Sequence, residues 1–248
     1  MARLDFHAAD GVPIAVHFTP SYPGRSSRLW ITAPGYAQQQ ATRSMRALRD
    51  RLAESGDVAM VDFRGTGASG GRFSFGAWEF RDLLPVLDWA RSRYPQRDLL
   101  AFSLGTYSGL RAALAAPDGF TNLCLVSAFG WPMEILLSPT WLVHHALAPF
   151  RHIRYAVRPE HRPGFRWGPL GDPKPDLRSL CPALPVPCRF LSGGRDWLVP
   201  ARVSRRLHEA VAAPKTWTLF PSGLHAEHMF LQDPEGFLRW AAPPKAET

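Results

Sequence analysis

From residue 28 onward the chain alternates short apolar runs with amphipathic stretches of about a dozen residues, a rhythm that leaves few folds open. The runs at 28–33, 58–63, 99–102, 122–127, 188–192 and 216–220 read as strands. Between them, Met45, Leu48 and Leu52 recur at helical spacing within 41–54, and Gly56 ends that pattern. Further helices are predicted at about 77–93, where the apolar face includes Leu83 and Leu87, and at 104–116, 201–211 and 234–241. Pro85 lies inside the 77–93 stretch, which predicts a kink or a late start. Ahead of the alternation, segments 3–7 and 12–19, split by Asp10-Gly11, read as a hairpin feeding the third strand. The pattern predicts an α/β fold with a mostly parallel central sheet and helices on both faces.

One interval breaks the rhythm. Between Gly130 and Pro187 there is no clean strand, only Trp- and Pro-rich sequence with a short helix expected near 140–148. A gap this long within a compact chain predicts a functional insertion, and residues 131–185 are expected to form a lid or cap. The same interval holds a charge anomaly. The chain carries +8, with 29 basic and 21 acidic residues, and only Lys174, Lys215 and Lys245 are lysine. Five arginines (Arg151, Arg154, Arg158, Arg162 and Arg166) against the single acidic Glu160 concentrate half of that excess in 151–166. A solvated basic face is the plain reading; an anionic carrier held by guanidinium groups is the sharper one. Coding bias toward arginine accounts for the other half more readily than nucleic-acid binding does.

Composition excludes other classes. At 46% hydrophobic and 20% charged, the 248 residues are not a disordered chain. Cys124, Cys181 and Cys188 are odd in number and lack metal-ligand spacing, so neither a disulfide framework nor a metal site is expected. The first residues lack the apolar run of a signal peptide, and no uninterrupted apolar stretch reaches the ~18 residues of a membrane span. The expectation is a cytoplasmic protein.

In an open parallel sheet, ligands bind beyond the carboxyl ends of the strands, so residues there are the candidates for chemistry. In Leu99-Leu100-Ala101-Phe102-Ser103-Leu104-Gly105 an apolar strand runs into Ser103 and then directly into a helix. That is the context of a nucleophile elbow, although a serine before a helix is also an ordinary N-cap. In Ser192-Gly193-Gly194-Arg195-Asp196 the aspartate follows a strand end, and its plainer role is to cap the next helix. In Phe220-Pro221-Ser222-Gly223-Leu224-His225 a histidine follows another, where it also reads as an ordinary surface residue. The order Ser, Asp, His at successive strand ends matches one known chain order of a serine triad.

With these strings the sequence resembles the α/β-hydrolase superfamily. Asp62-Phe63-Arg64-Gly65-Thr66-Gly67-Ala68-Ser69 looks like the Asp-x-Arg-Gly-x-Gly-x-Ser loop common there, and the stretch from Phe75-Gly76 through Glu79, Asp82 and Leu87 to Ala90 is similar to bacterial members acting on esters or related acyl groups. The likeness runs from about residue 3 to 241. It departs at Ala101, where the family usually has glycine, and at Pro34, where His-Gly is usual. It implies one α/β-hydrolase domain over 1–248 with Ser103 as nucleophile, His225 as base and Asp196 as its orienting carboxylate. The backbone N–H groups of Tyr36 and Leu104 would form the oxyanion hole. Glu134 is an alternative carboxylate and His228 an alternative base; Asp62 is expected to orient its own loop. Trp131 and Trp141 would supply apolar surface for an acyl group, or simply join the lid to the body.

The function expected is a serine hydrolase acting on small-molecule carboxylic esters or thioesters, without metal or organic cofactor, nucleic-acid partner or membrane span. Acyl transfer on the same machinery and a catalytically silent ligand-binding protein are the alternatives. Oligomeric state stays open.

Overall fold

The computed structural model describes residues 1–22, 24, 26–36, 38, 42–138, 168 and 171–242. Its centre is an eight-stranded sheet in the order β1-β2-β4-β3-β5-β6-β7-β8. β1 (Ala2–His7) and β2 (Pro13–Thr19) form the hairpin, turning at Gly11 with φ +77°. β3 (Arg28–Ala33) does not pair with β2. Instead β4 (Asp57–Val61) lies between them, antiparallel to β2 and parallel to β3. β5 (Gln96–Phe102), β6 (Asn122–Val126), β7 (Cys188–Gly193) and β8 (Lys215–Phe220) continue in parallel.

The central strands β3 to β7 are apolar on both faces, as both are covered. Ile31, Ala33, Leu99, Ala101, Leu125 and Phe190 point to one side, where α2 (Phe80–Arg91), α3 (Leu104–Ala115) and α5 (Ala201–Ala210) pack. Trp30, Met60, Leu100, Phe102 and Val126 point to the other. There they meet α1 (Arg43–Leu52), α6 (His228–Gln232) and α7 (Pro234–Ala241). In α1 the spaced Met45, Leu48 and Leu52 are fully buried, each contributing about 1.5–3 kcal/mol of apolar burial, and Thr42 caps the helix by accepting from the Met45 N–H. Asp233 does the same for α7 through the Gly236 N–H.

Two sequence expectations are refined. α2 starts at Phe80, three residues after the expected position, and runs through Pro85 to Arg91. β5 begins at Gln96 rather than Leu99, because its polar first half pairs with β3 from Arg28 onward. Within 131–185 the described residues hold α4 (Pro132–Leu136) and two single 3-10 turns, Leu177–Ser179 and Cys181–Ala183. The helix expected near 140–148, Trp141 and the arginine cluster of 151–166 lie outside the described residues.

The chain leaves β3 for β4 on one side and returns to β5 on the other. This reversal makes the carboxyl ends of β3 and β5 the switch point of the sheet, where such folds form a crevice.

Candidate active site

Ser103 sits at that point. It joins β5 to α3 with φ +49° and ψ −116°, a conformation strained for any residue with a Cβ, and its side chain makes no capping bond to the helix. The turn is tight because α3 starts against the end of β3. A Cβ on Gly105 would lie 2.1 Å from the Ala33 carbonyl oxygen. The plainer reading of Ser103 as an N-cap therefore fails, and the hydroxyl faces the loops that follow β7 and β8.

Those two loops are tied together by backbone bonds from Gly194 N–H to the Phe220 carbonyl (2.7 Å) and from Arg195 N–H to the Gly223 carbonyl (2.9 Å). Asp196 and His225 are thereby brought face to face. His225 Nδ1 is 2.9 Å from Asp196 Oδ2, and its Nε2 is 3.0 Å from Ser103 Oγ. A carboxylate only accepts, so Nδ1 carries the proton, which leaves Nε2 to accept from the serine hydroxyl. Asp196 is buried and well supplied with donors: Leu198 N–H at 3.0 Å and Val199 N–H at 2.8 Å on Oδ1, and Ser127 Oγ at 2.7 Å on Oδ2. The expected helix-capping role of Asp196 is thus present in part, through the residues just before α5.

Ser127 is a member that sequence reasoning missed. It reads as the last residue of a strand; in the structure it lies one residue beyond β6, buried, with φ +53°. Its hydroxyl donates to Asp196 and accepts from the N–H of Ala226, the residue after His225, at 3.0 Å. Ala226 also has positive φ (+53°). One hydroxyl thus braces both the carboxylate and the histidine loop.

The loop after β3 faces Ser103 from the opposite side. A Cβ on Gly35 would come within 3.3 Å of Ser103 Cβ, so this loop lies in contact with the elbow. The Gly35 N–H is taken by the side-chain oxygen of Gln38, whose amide donates in turn to Glu227. The next residue along this loop is Tyr36, the one expected from the sequence to supply a backbone donor. Leu104 opens α3, so its N–H has no carbonyl one turn behind it. Burial pushes the Tyr36 phenol up to about 12, so the ring stays neutral beside the site.

Other candidates are placed elsewhere. Glu134 pairs with Arg206 and lies 3.8 Å from Arg178. His228 begins α6 and makes no contact with Asp196 or Ser103 among the interactions of the described residues. Asp62 accepts from Ala68 N–H at 3.1 Å and from His17 Nε2 at 3.0 Å, holding its own loop. The Trp131 indole donates to the Lys174 carbonyl, which joins the two ends of the 131–185 interval. No cluster of three or more His, Cys, Asp or Glu able to hold a metal occurs among the described residues, and no helix there is long and apolar enough to cross a membrane.

Solved structures superpose on this architecture nearly end to end. An esterase from Pyrococcus furiosus matches with a TM-score of 0.74 over 97% of this chain and 91% of that one, at 20% identity. The chain has the α/β-hydrolase fold. An esterase from Thermogutta terrifontis (TM-score 0.70, 18% identity, 96% of both chains) shares this α/β-hydrolase architecture. So does a hydrolase from Pseudomonas aeruginosa (0.69, 18%, 95% of both). No family model matches the sequence. Among curated proteins, a probable aminopeptidase from Bacillus subtilis is 39% identical over 49 residues, which span 19% of this chain and 15% of that protein.

Proposed function

We propose that this α/β-hydrolase is a serine hydrolase that cleaves carboxylic esters or thioesters through an acyl-enzyme on Ser103. The observation that carries the reading is the continuous hydrogen-bond chain from Ser103 Oγ through His225 to Asp196, built on a strained elbow at the switch point of the sheet. A serine hydroxyl is a poor nucleophile at neutral pH and needs a base to take its proton during attack. His225 Nε2 is in place to do so and to return the proton to the leaving group, a service typically worth 10²–10⁴-fold. Asp196 fixes the tautomer and stabilises the imidazolium. The N–H groups of Tyr36 and Leu104 would receive the oxyanion, with each such donor worth about 10²–10³-fold.

In this reading residues 131–185 form a lid, with Trp131 and Trp141 contributing to the acyl pocket, and the chain 1–248 works as one domain. Three buried free thiols suit a reducing compartment such as the cytoplasm. The esterases among the structural neighbours favour ester over other acyl substrates, while the aminopeptidase match makes an amide worth including in any panel. The test is hydrolysis of p-nitrophenyl butyrate, a butyryl thioester and alanine p-nitroanilide by the wild type and by Ser103→Ala. Ester or thioester turnover that falls by about 10³-fold or more in the variant is expected. An unchanged rate overturns the assignment.

A further inference from the structure

Four described non-glycine residues have positive φ: Phe75, Ser103, Ser127 and Ala226. Three of them lie at the candidate site: Ser103 at the elbow, Ser127, whose hydroxyl donates to Asp196, and Ala226 next to His225. Phe75 (φ +56°) does not, and a buried aromatic residue holds such a conformation only where its surroundings dictate it. Here they do. The carboxylate of the fully buried Glu79 accepts from the two peptide N–H groups that flank Phe75, those of Ser74 (2.5 Å) and Gly76 (2.6 Å), and from the Ser74 hydroxyl (2.9 Å). From the other side the Arg111 guanidinium donates to the carbonyls of Gly76 (2.7 Å) and Ala77 (2.6 Å). Both ends of the turn are clamped.

The clamped turn presses on both residues assigned to the oxyanion hole. The Phe75 ring stacks on Tyr36, with centroids 5.2 Å apart and planes 25° from parallel, and Phe73 closes the stack edge-on to Phe75 at 5.2 Å. Gly76 lies against the start of α3: a Cβ there would fall 3.5 Å from Leu104 Cδ1 and 2.7 Å from the Tyr107 ring. A buried carboxylate is costly unless its hydrogen bonds are satisfied, and Glu79 directs several of its bonds at this one turn. We propose that Glu79 is a positioning residue for the oxyanion hole. It locks the Ser74–Gly76 turn so that Phe75 sets the Tyr36 N–H and Gly76 backs Leu104. The proposal rests on the hydrolase reading above.

The test is a double-mutant cycle on Glu79→Gln and Phe75→Leu. The glutamine keeps one acceptor oxygen but turns an amide NH2 toward the peptide donors; the leucine keeps apolar volume but loses the stack. Steady-state hydrolysis of p-nitrophenyl butyrate and inhibition by butylboronic acid, which forms a tetrahedral adduct on the serine, are read for all four proteins. Each single variant is expected to lower kcat about tenfold or more with KM within about twofold, and to weaken the boronate by a similar factor. The double variant is expected to be no worse than the worse single one, because both changes break the same link. Wild-type kcat and boronate affinity in folded variants, losses that multiply in the double variant, or a raised KM at unchanged kcat would each overturn the positioning role. If Glu79→Gln does not fold, Phe75→Leu decides the question through kcat and boronate affinity alone. An inactive wild type overturns the hydrolase reading and the proposal with it, whereas an active wild type with indifferent variants overturns the positioning role only.

Discussion

Replacing Gly105 with alanine isolates the geometry of the elbow from its chemistry. The added Cβ would lie 2.1 Å from the Ala33 carbonyl oxygen and 2.6 Å from that of Pro34, backbone atoms at the end of β3 and the start of the loop that carries Tyr36. Neither can rotate away, so the end of β3 and the start of α3 must separate by about 1 Å to restore ordinary contact, and a misplacement of that size costs about 10²-fold in rate. Stability should change far less. Overpacking costs roughly 1–3 kcal/mol, and the better helix propensity of alanine returns up to about 1 kcal/mol. The net loss is then about 1 kcal/mol, or roughly 2–4 °C in Tm for a chain of this size. Gly109→Ala, one turn further along α3, is the control: the one contact its Cβ would make below 3 Å is with a Leu99 methyl carbon at 2.4 Å, the end of a side chain that can shift. Steady-state kcat/KM together with thermal melting of both variants makes the comparison. Wild-type kcat/KM in Gly105→Ala, or equal loss in the two variants, would refute the claim that contact between β3 and α3 sets the site.

Ser127→Ala removes the hydroxyl that donates to Asp196 and accepts from Ala226 N–H. A hydrogen bond to a charged group is worth about 1.5–3 kcal/mol, so kcat/KM should fall at least tenfold and Tm should drop in the same variant, as read by steady-state kinetics and calorimetry. The three thiols supply a test of the core: burial pushes Cys124 and Cys181 up to about 12 and raises Cys188 as well. Ellman's reagent at pH 8 should therefore titrate no thiol in the native protein within minutes and three after guanidinium denaturation.

The parts legible in the sequence are those that depend on local pattern. Strands buried on both faces leave continuous apolar runs, so β3 through β7 are visible, and Ser103, Asp196 and His225 stand out because each follows a strand. What escaped depends on contacts between distant segments. Nothing near residue 57 says that β4 inserts between β2 and β3, since its partners lie about 40 residues away on one side and 28 on the other. Ser127 looked like the end of a strand because its importance lies in a positive φ and in a partner 69 positions later. Glu79 stood within a recognised stretch, yet its purpose shows only once the turn at Phe75 is seen folded back on it. Glu134 had suitable spacing from its strand, but Arg178 and Arg206 claim it.

The central claim is that Ser103 is the nucleophile. The direct measurement is treatment of the wild-type protein with a fluorophosphonate, followed by mass spectrometry of its peptides. The account predicts one adduct per chain, on the peptide containing Ser103, and none after Ser103→Ala. A folded wild type that takes up no label, or one labelled at a different residue, would contradict it.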